Sequence, residues 1–284
     1  MVEPVLYESH LHTPLCKHAV GEPEAYAAAA EQQGLKGIIV TCHNPTNDGW
    51  APQVRMRVDQ FKDYMAMVER ARQVWAGRID VRLGLESDYA PGMEPWLEEL
   101  HGRAEFHHVL GSVHPQLSEY KSRYFNGDMV AFQRTYFEHL AMAAETGLFD
   151  TLAHPDLVKN NDPKAWQLDR LLPHICDCLD RIAAAGTAME LNTSGLQKML
   201  PEMNPGREIL VEMQRRHIPV VLGADAHDPR RVAANFAEAL DLLEGVGYSH
   251  VSIFLRRRRQ EIDLETARNS LKVGHKAHAT VAAG

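Results

Sequence analysis

Two short segments near opposite ends of this 284-residue sequence carry side chains that could hold a metal ion. His10-Leu11-His12 sets two imidazoles two residues apart, and Asp225-Ala226-His227 sets a carboxylate and an imidazole at the same spacing. At the end of an extended strand such residues point to one face, about two rises of roughly 3.3 Å apart, so each pair can chelate one ion. Mixed nitrogen and oxygen donors suit zinc, iron or manganese better than calcium. Four more residues of ligand type, His43, Glu86, His114 and His154, stand at or near the ends of other apolar runs. A carboxylate such as Glu86 can bridge two ions about 3.5 to 4 Å apart, as two-metal hydrolases require. Cys16 and Cys42 lie beside these residues and could bind zinc as thiolates, but nitrogen and oxygen donors already suffice.

Such scattered groups need a frame that gathers strand ends. The runs VLYES (5–9), GIIVT (37–41), DVRLGLES (80–87), HVLGSV (108–113), DTLA (150–153), TAMELN (187–192) and PVVLGA (219–224) carry or lead into polar clusters. HVSIFL (250–255) has no chemical residue at its end. Helical patterns separate the runs, at 23–34 with Gly34 as a stop, 58–77, 129–147, 169–186 and 207–217. The second of these places Phe61, Met65, Val68 and Ala71 or Arg72 on one face. Strands alternating with helices predict an α/β fold with a mostly parallel sheet and right-handed crossovers. Seven or eight such units fit a closed or distorted barrel, whose chemistry sits at the carboxyl ends of the strands. An open doubly wound sheet would carry a Gly-rich phosphate fingerprint after its first strand, and none is there. No linker or repeat splits the chain, so residues 1–284 read as one domain.

Composition narrows the function classes. Thirty Lys and Arg against 38 Asp and Glu give a formal charge of −8, which disfavours a nucleic-acid partner. The basic run Arg256 to Arg259 reads as a solvated strand or helix end. Four cysteines, at 16, 42, 176 and 178, form no C-x-x-C pair, which points to a cytoplasmic protein. No apolar run approaches the roughly 18 residues of a membrane span, and no export signal is evident. Of the sixteen histidines, those at 101, 107, 108, 139, 174, 217, 250, 275 and 278 fall on helices, at strand starts or in the tail, and read as structural.

Several segments together resemble the polymerase and histidinol phosphatase (PHP) superfamily, and within it the histidinol-phosphatase branch. They are HLHTPLCKHAVGEPEAY, TCHNP at 41–45, GLESDYAPGMEPWLEEL, LGSVHPQ, DTLAHPDLVK, MELNTSGL and LGADAHDP, spanning about residues 8 to 230. The resemblance implies a distorted (β/α)7 barrel with three divalent or trivalent metal ions, zinc, iron or manganese. It implies that His10, His12, Glu86 and Asp225 hold the first ion. Glu86 would bridge to a second held by His114 and His154, and His18, His43 and His227 would hold the third. The strand-end pattern alone does not reach His18, which lies in a loop. Two departures concern the substrate: Cys42 stands where many relatives have an acidic residue, and Gln197, with Lys198 next, follows NTSGL where a basic residue is expected.

The resemblance implies a metal-dependent phosphatase acting on a small phosphorylated metabolite, best L-histidinol phosphate, with a hydroxide shared by two ions as nucleophile. Asp225 or His227 could relay a proton to the departing alkoxide. Arg123, Lys159 and Lys198 follow site segments and could pair with a phosphate oxygen. Three rivals stay open. They are a phosphodiesterase or nucleotide phosphatase of the same superfamily, a related amidohydrolase, whose usual strand-four lysine is replaced here by GSVH, and a non-catalytic metal-binding module.

Overall fold

A computed structural model describes residues 3–279, without the side chains of 272–279, where His275 and His278 fall. The chain alternates strands and helices. They run β1 (Tyr7–Glu8), α1 (Pro23–Gln33), β2 (Gly37–Val40), α2 (Phe61–Val74), β3 (Asp80–Asp88), α3 (Glu94–His101), β4 (His108–Ser112), α4 (Ser118–Tyr124), α5 (Met129–Glu145) and β5 (Thr151–Leu152). Then come α6 (Leu168–Ala185), β6 (Ala188–Asn192), α7 (Arg207–Arg215), β7 (Val220–Gly223), α8 (Phe236–Gly245), β8 (His250–Leu255), β9 (Arg258–Asp263) and α9 (Leu264–Ala279). Strands β1 to β8 pair in sequence order and in parallel. This is the α/β architecture expected of a distorted, TIM-like barrel.

The ring closes above its first and seventh strands. His12 N donates to Ala226 O (3.0 Å) and Ala226 N to His10 O (2.9 Å), a parallel bridge of Leu11 with Ala226. The seam of the barrel is therefore made of the same H-x-H and D-x-H segments whose alternate side chains turn inward. Gly223 at the end of β7 lies so close to this seam that a Cβ there would collide with Glu190 and His10.

The helices cover the outer face through their apolar stripes. In α2 the buried residues are Phe61, Tyr64, Val68 and Ala71. Tyr64 takes the place expected of Met65, because its hydroxyl reaches the sheet and donates to Val40 O (2.7 Å) and Gly84 O (2.8 Å). Helix α1 ends at Gly34, whose φ of +75° closes the helix in the left-handed region where glycine is unstrained.

The amino-terminal end of the barrel is stoppered by a hairpin that the sequence pattern did not reveal. Strand β9 turns back antiparallel to β8. Ile253 packs on Tyr7 and Ile39, Phe254 on Ala188 and Val221, and the Phe254 ring stacks on His108 at 5.1 Å. The basic run is thus the hairpin's turn and the start of β9. Arg256 and Arg257 both have positive φ (+53° and +58°), the two-residue geometry that ordinarily selects Asn-Gly. Arg257 is tied down: its N donates to His107 O (2.9 Å), its Nε lies 3.1 Å from both Asp150 oxygens, and its Nη2 donates to Leu148 O (2.7 Å).

Candidate metal centre

At the opposite end the structure brings His10, His12, His18, His43, Glu86, His114, His154, Asp225 and His227 around one cavity. Glu86, wholly buried, is the hub. Its Oε2 lies 2.7 Å from His43 Nδ1 and 3.6 Å from both His10 Nε2 and His12 Nε2, and its Oε1 lies 3.1 Å from His154 Nε2 and 3.4 Å from His114 Nε2. Asp225 Oδ1 lies 3.1 Å from His12 Nε2, 3.3 Å from His227 Nδ1 and 3.6 Å from His10 Nε2. His12 and His227 stack at 3.8 Å, and His18 stacks on His227 at 4.6 Å. Two of these residues, His154 (φ +31°) and Asp225 (φ +48°), occupy the strained left-handed region, where non-glycine residues persist when surrounding structure holds them.

That holding comes from buried acids to which the sequence pattern assigned no role. Glu190, in the middle of β6, accepts from His10 Nδ1 (2.8 Å), His154 N (2.9 Å) and Asn192 Nδ2 (2.9 Å). Asp88, two residues beyond Glu86 on β3, accepts from His114 Nδ1 (2.8 Å), Trp50 Nε1 (3.0 Å) and the buried Arg55 guanidinium (2.5 Å). Glu8 on β1 accepts from the backbone N–H groups of His10, Ala224 and Ala233. An acid inside an otherwise apolar strand was the available signal for Glu8 and Glu190. These partners fix ring orientation: with Nδ1 of His10 and His114 donating to a carboxylate, and Nδ1 of His18 and His227 to the carbonyls of Cys16 and Asp225, Nε2 is the nitrogen that carries the lone pair whenever the ring is neutral.

Electrostatics and unpaired atoms both fit a cation. Burial alone would lower His10 and His12, but the neighbouring carboxylates carry His10 well above the usual imidazole range and His12 to about 9. Burial opposes ionisation of Glu86 and Asp225, yet the surrounding histidines hold both well below the ordinary carboxylate range. Burial, aided by His12, pushes His227 down to about 2, and burial brings His43 to about 4. The carboxylates are therefore ionised and His43 and His227 neutral, as metal ligation needs, while His10 and His12 hold protons that a bound cation would displace. His10 Nε2 and His227 Nε2 are buried with no hydrogen-bond partner among the described residues, and His43 Nδ1 meets Glu86 Oε2 at 2.7 Å without hydrogen-bond alignment. Buried polar atoms seldom go unpaired without a reason, such as an ion, and this donor set is that of a metal centre. Ligand atoms of His12, His43 and His227 lie within 4.8 Å of one another, as do those of His10, His12 and Glu86, and of His43, Glu86 and His114. Cys16 and Cys42 also come within that distance of His12, but the Cys42 thiol faces Thr13, whose Oγ1 donates to it (3.2 Å).

The three cations proposed for phosphate fare differently. Lys198 lines the cavity mouth. Arg123 does not; its guanidinium lies over the Trp50 ring at 4.9 Å. Lys159 is a correction. It is fully buried, and its three donors are taken by Asp156 Oδ2 (2.9 Å), Glu202 Oε2 (3.0 Å) and Met203 O (3.0 Å), which leaves none for a substrate. Lys159 instead ties the loop after β5 to residues 202–203, the far end of the loop that carries Lys198.

The sequence profile of the PHP domain matches residues 8–194. This chain belongs to the PHP domain family. A probable histidinol-phosphatase of Deinococcus radiodurans is 38% identical over 261 residues, which cover 90% of this chain and 98% of that protein. The histidinol-phosphatase of Bacillus subtilis is 22% identical, covering 78% and 92% respectively. Among solved structures, the histidinol phosphate phosphatase of Lactococcus lactis, in complex with zinc, L-histidinol and phosphate, shares the fold. Its TM-score is 0.76 at 18% identity, over 89% of this chain and 98% of that one. No helix among the described residues is long and apolar enough to cross a membrane.

Proposed function

We propose that this protein is a metal-dependent phosphatase of a single PHP domain, residues 1–284, that hydrolyses L-histidinol phosphate to L-histidinol and phosphate. The observation that carries the reading is the cage of seven imidazoles and two carboxylates with unpaired inward atoms. The 38% identity with a probable histidinol-phosphatase over nearly its whole length supports the substrate. His10, His12, Glu86 and Asp225 would hold one ion, Glu86 with His114 and His154 a second, and His18, His43 and His227 a third, drawn from zinc, iron and manganese. Bound ions of this kind bring the pKa of water from 15.7 towards about 7 and neutralise charge on a phosphoryl group.

The chain's own groups do the rest. Glu190 and Asp88 keep His10 and His114 in one tautomer and one orientation. Leu117 and Leu157 give the cavity, of about 380 Å³, an apolar wall for the organic part of the ester. Asp225 or His227, which border it, would relay a proton taken from the attacking water to the departing alkoxide oxygen. The test is phosphate release from L-histidinol phosphate by zinc- or manganese-loaded protein beside Asp225→Ala. The expected outcome is turnover by the parent and a loss of at least about a thousandfold in the variant at unchanged far-ultraviolet circular dichroism. Brisk cleavage of bis-p-nitrophenyl phosphate with no release from monoesters would favour a phosphodiesterase instead.

A further inference from the structure

The cavity at the metal cage has two lobes, which share four lining residues. The first, described above, has Val54, Leu117 and Leu157 in its wall. The second, about 440 Å³, shares His18, Lys198, Asp225 and His227 with the first and adds Val20, Ser194, Gln197, Asp228 and Arg231. Their chemistry differs. Both share Lys198 at the exposed mouth; the first adds Arg55, whose guanidinium is paired with Asp88, whereas the second adds Arg231, partly buried in its wall. Arg231 makes no ion pair among the described residues, and its Nη2 is buried with no hydrogen-bond partner among them. The nearby acid does not serve it, because the Asp228 carboxylate is gripped by Arg230 through Nε (3.0 Å) and Nη2 (2.6 Å). The other carboxylate, Asp225, is engaged by His12 and by Ser194 Oγ (3.2 Å).

We infer that the second chamber is the anion subsite of this centre, with Arg231 as its half-buried cation. A phosphoryl group seated at the cage would turn its non-bridging oxygens towards Arg231 and Lys198, while its ester oxygen and organic part face the apolar chamber. Arg231 suits this task because a guanidinium offers parallel donors to two oxygens of one phosphate. A cationic substrate tail, such as one with an ammonium group, is disfavoured in this chamber by the unpaired Arg231 charge. The substrate therefore binds in a single direction across the metals. The inference rests on the phosphatase reading but not on which alcohol is released.

The experiment compares parent, Arg231→Gln, Arg231→Lys and Leu157→Ala, each loaded with the same metal and matched for metal content. Inorganic phosphate serves as competitive inhibitor, and p-nitrophenyl phosphate and L-histidinol phosphate as substrates. Arg231→Gln is expected to raise the phosphate Ki and the KM of both esters together by about tenfold or more, the scale of one lost charge-assisted hydrogen bond. Arg231→Lys should lie between it and the parent, and supplies the answer if the glutamine variant fails to fold. Leu157→Ala should raise the KM of the organic ester and leave the phosphate Ki in place. An unchanged phosphate Ki in the Arg231 variants overturns the subsite. Failure to cleave L-histidinol phosphate, with the p-nitrophenyl phosphate and phosphate responses intact, removes the substrate reading and leaves the subsite standing.

Discussion

The two ends of the barrel use the same residue types for opposite ends. At the rim, histidines crowd around Glu86 and Asp225, which hold His10 and His12 above the ordinary imidazole range, and inward atoms are left unpaired. At the floor burial pushes His108 down to about 3, and in the outer helix layer it pushes His101 to about 4, so they serve as uncharged packing pieces. His101 Nε2 meets Ser87 Oγ (2.9 Å), His108 Nε2 meets Thr151 Oγ1 (2.8 Å), and His108 lies flat against Phe254. Both ends also hold non-glycine residues at positive φ. At the rim an acid, Glu190, fixes the backbone of His154, and at the floor Asp150 fixes the side chain of Arg257. The difference teaches that a histidine's role is read from the acids around it and from whether its atoms are satisfied, not from its position at a strand terminus.

The sharpest way to break the comparison is at the acid that supports the rim. Glu190→Gln replaces one of two accepting oxygens with a donor facing His10 Nδ1 or His154 N. It should lower metal affinity or kcat/KM by about 10- to 100-fold, the scale found for partners that orient ligands. Isothermal titration of zinc and steady-state assays check it, and unimpaired values would mean that the cage orients itself. At the floor the expected loss is stability, not turnover. Arg257→Ala removes the ion pair with Asp150 and the bond to Leu148 O, and should cost about 1–3 kcal/mol in urea unfolding while kcat stays at the parent value. A fall in kcat with no loss of stability would join the two ends.

The smallest effect concerns pH. His108 titrates near 6.5 when unfolded and at about 3 in the fold, so the fold keeps it neutral. Its contribution is present above pH 6.5 and is lost as pH falls from there towards 3. Metal-free His108→Gln should therefore lose less stability than the metal-free parent between pH 7 and pH 5, read as the urea midpoint. An equal loss in both would remove His108 from the acid response.

Much of the frame was legible because the parallel strands are apolar runs, most of them carrying or leading into polar clusters, and period and punctuation suffice to find them. The β8–β9 hairpin was not, because β9 (Arg258–Asp263) is almost wholly polar and exposed, and its turn uses Arg-Arg where a hairpin signal would be Asn-Gly. At the candidate site, eight of the residues now seen around one cavity stood at strand ends, while His18 came only through the family resemblance. Glu8, Asp88 and Glu190 had no spacing to betray their distant partners, since Ala224 and Ala233, Arg55 and His114, and His10 and His154 become their neighbours only in the fold. Lys159 misled for a related reason. A cation just past a site segment looks available for substrate until the fold shows three acceptors already around it.

Closure between Leu11 and Ala226 has a temporal corollary. The residues that join the ring are neighbours of His10, His12, Asp225 and His227, so the cage and the seam are completed in one event. A chain emerging from the ribosome carries seven of the nine donors long before the last two appear. Tight, ordered uptake of metal must then wait until the segment around Ala226 docks, and a bound ion would in return act as a clasp on the seam.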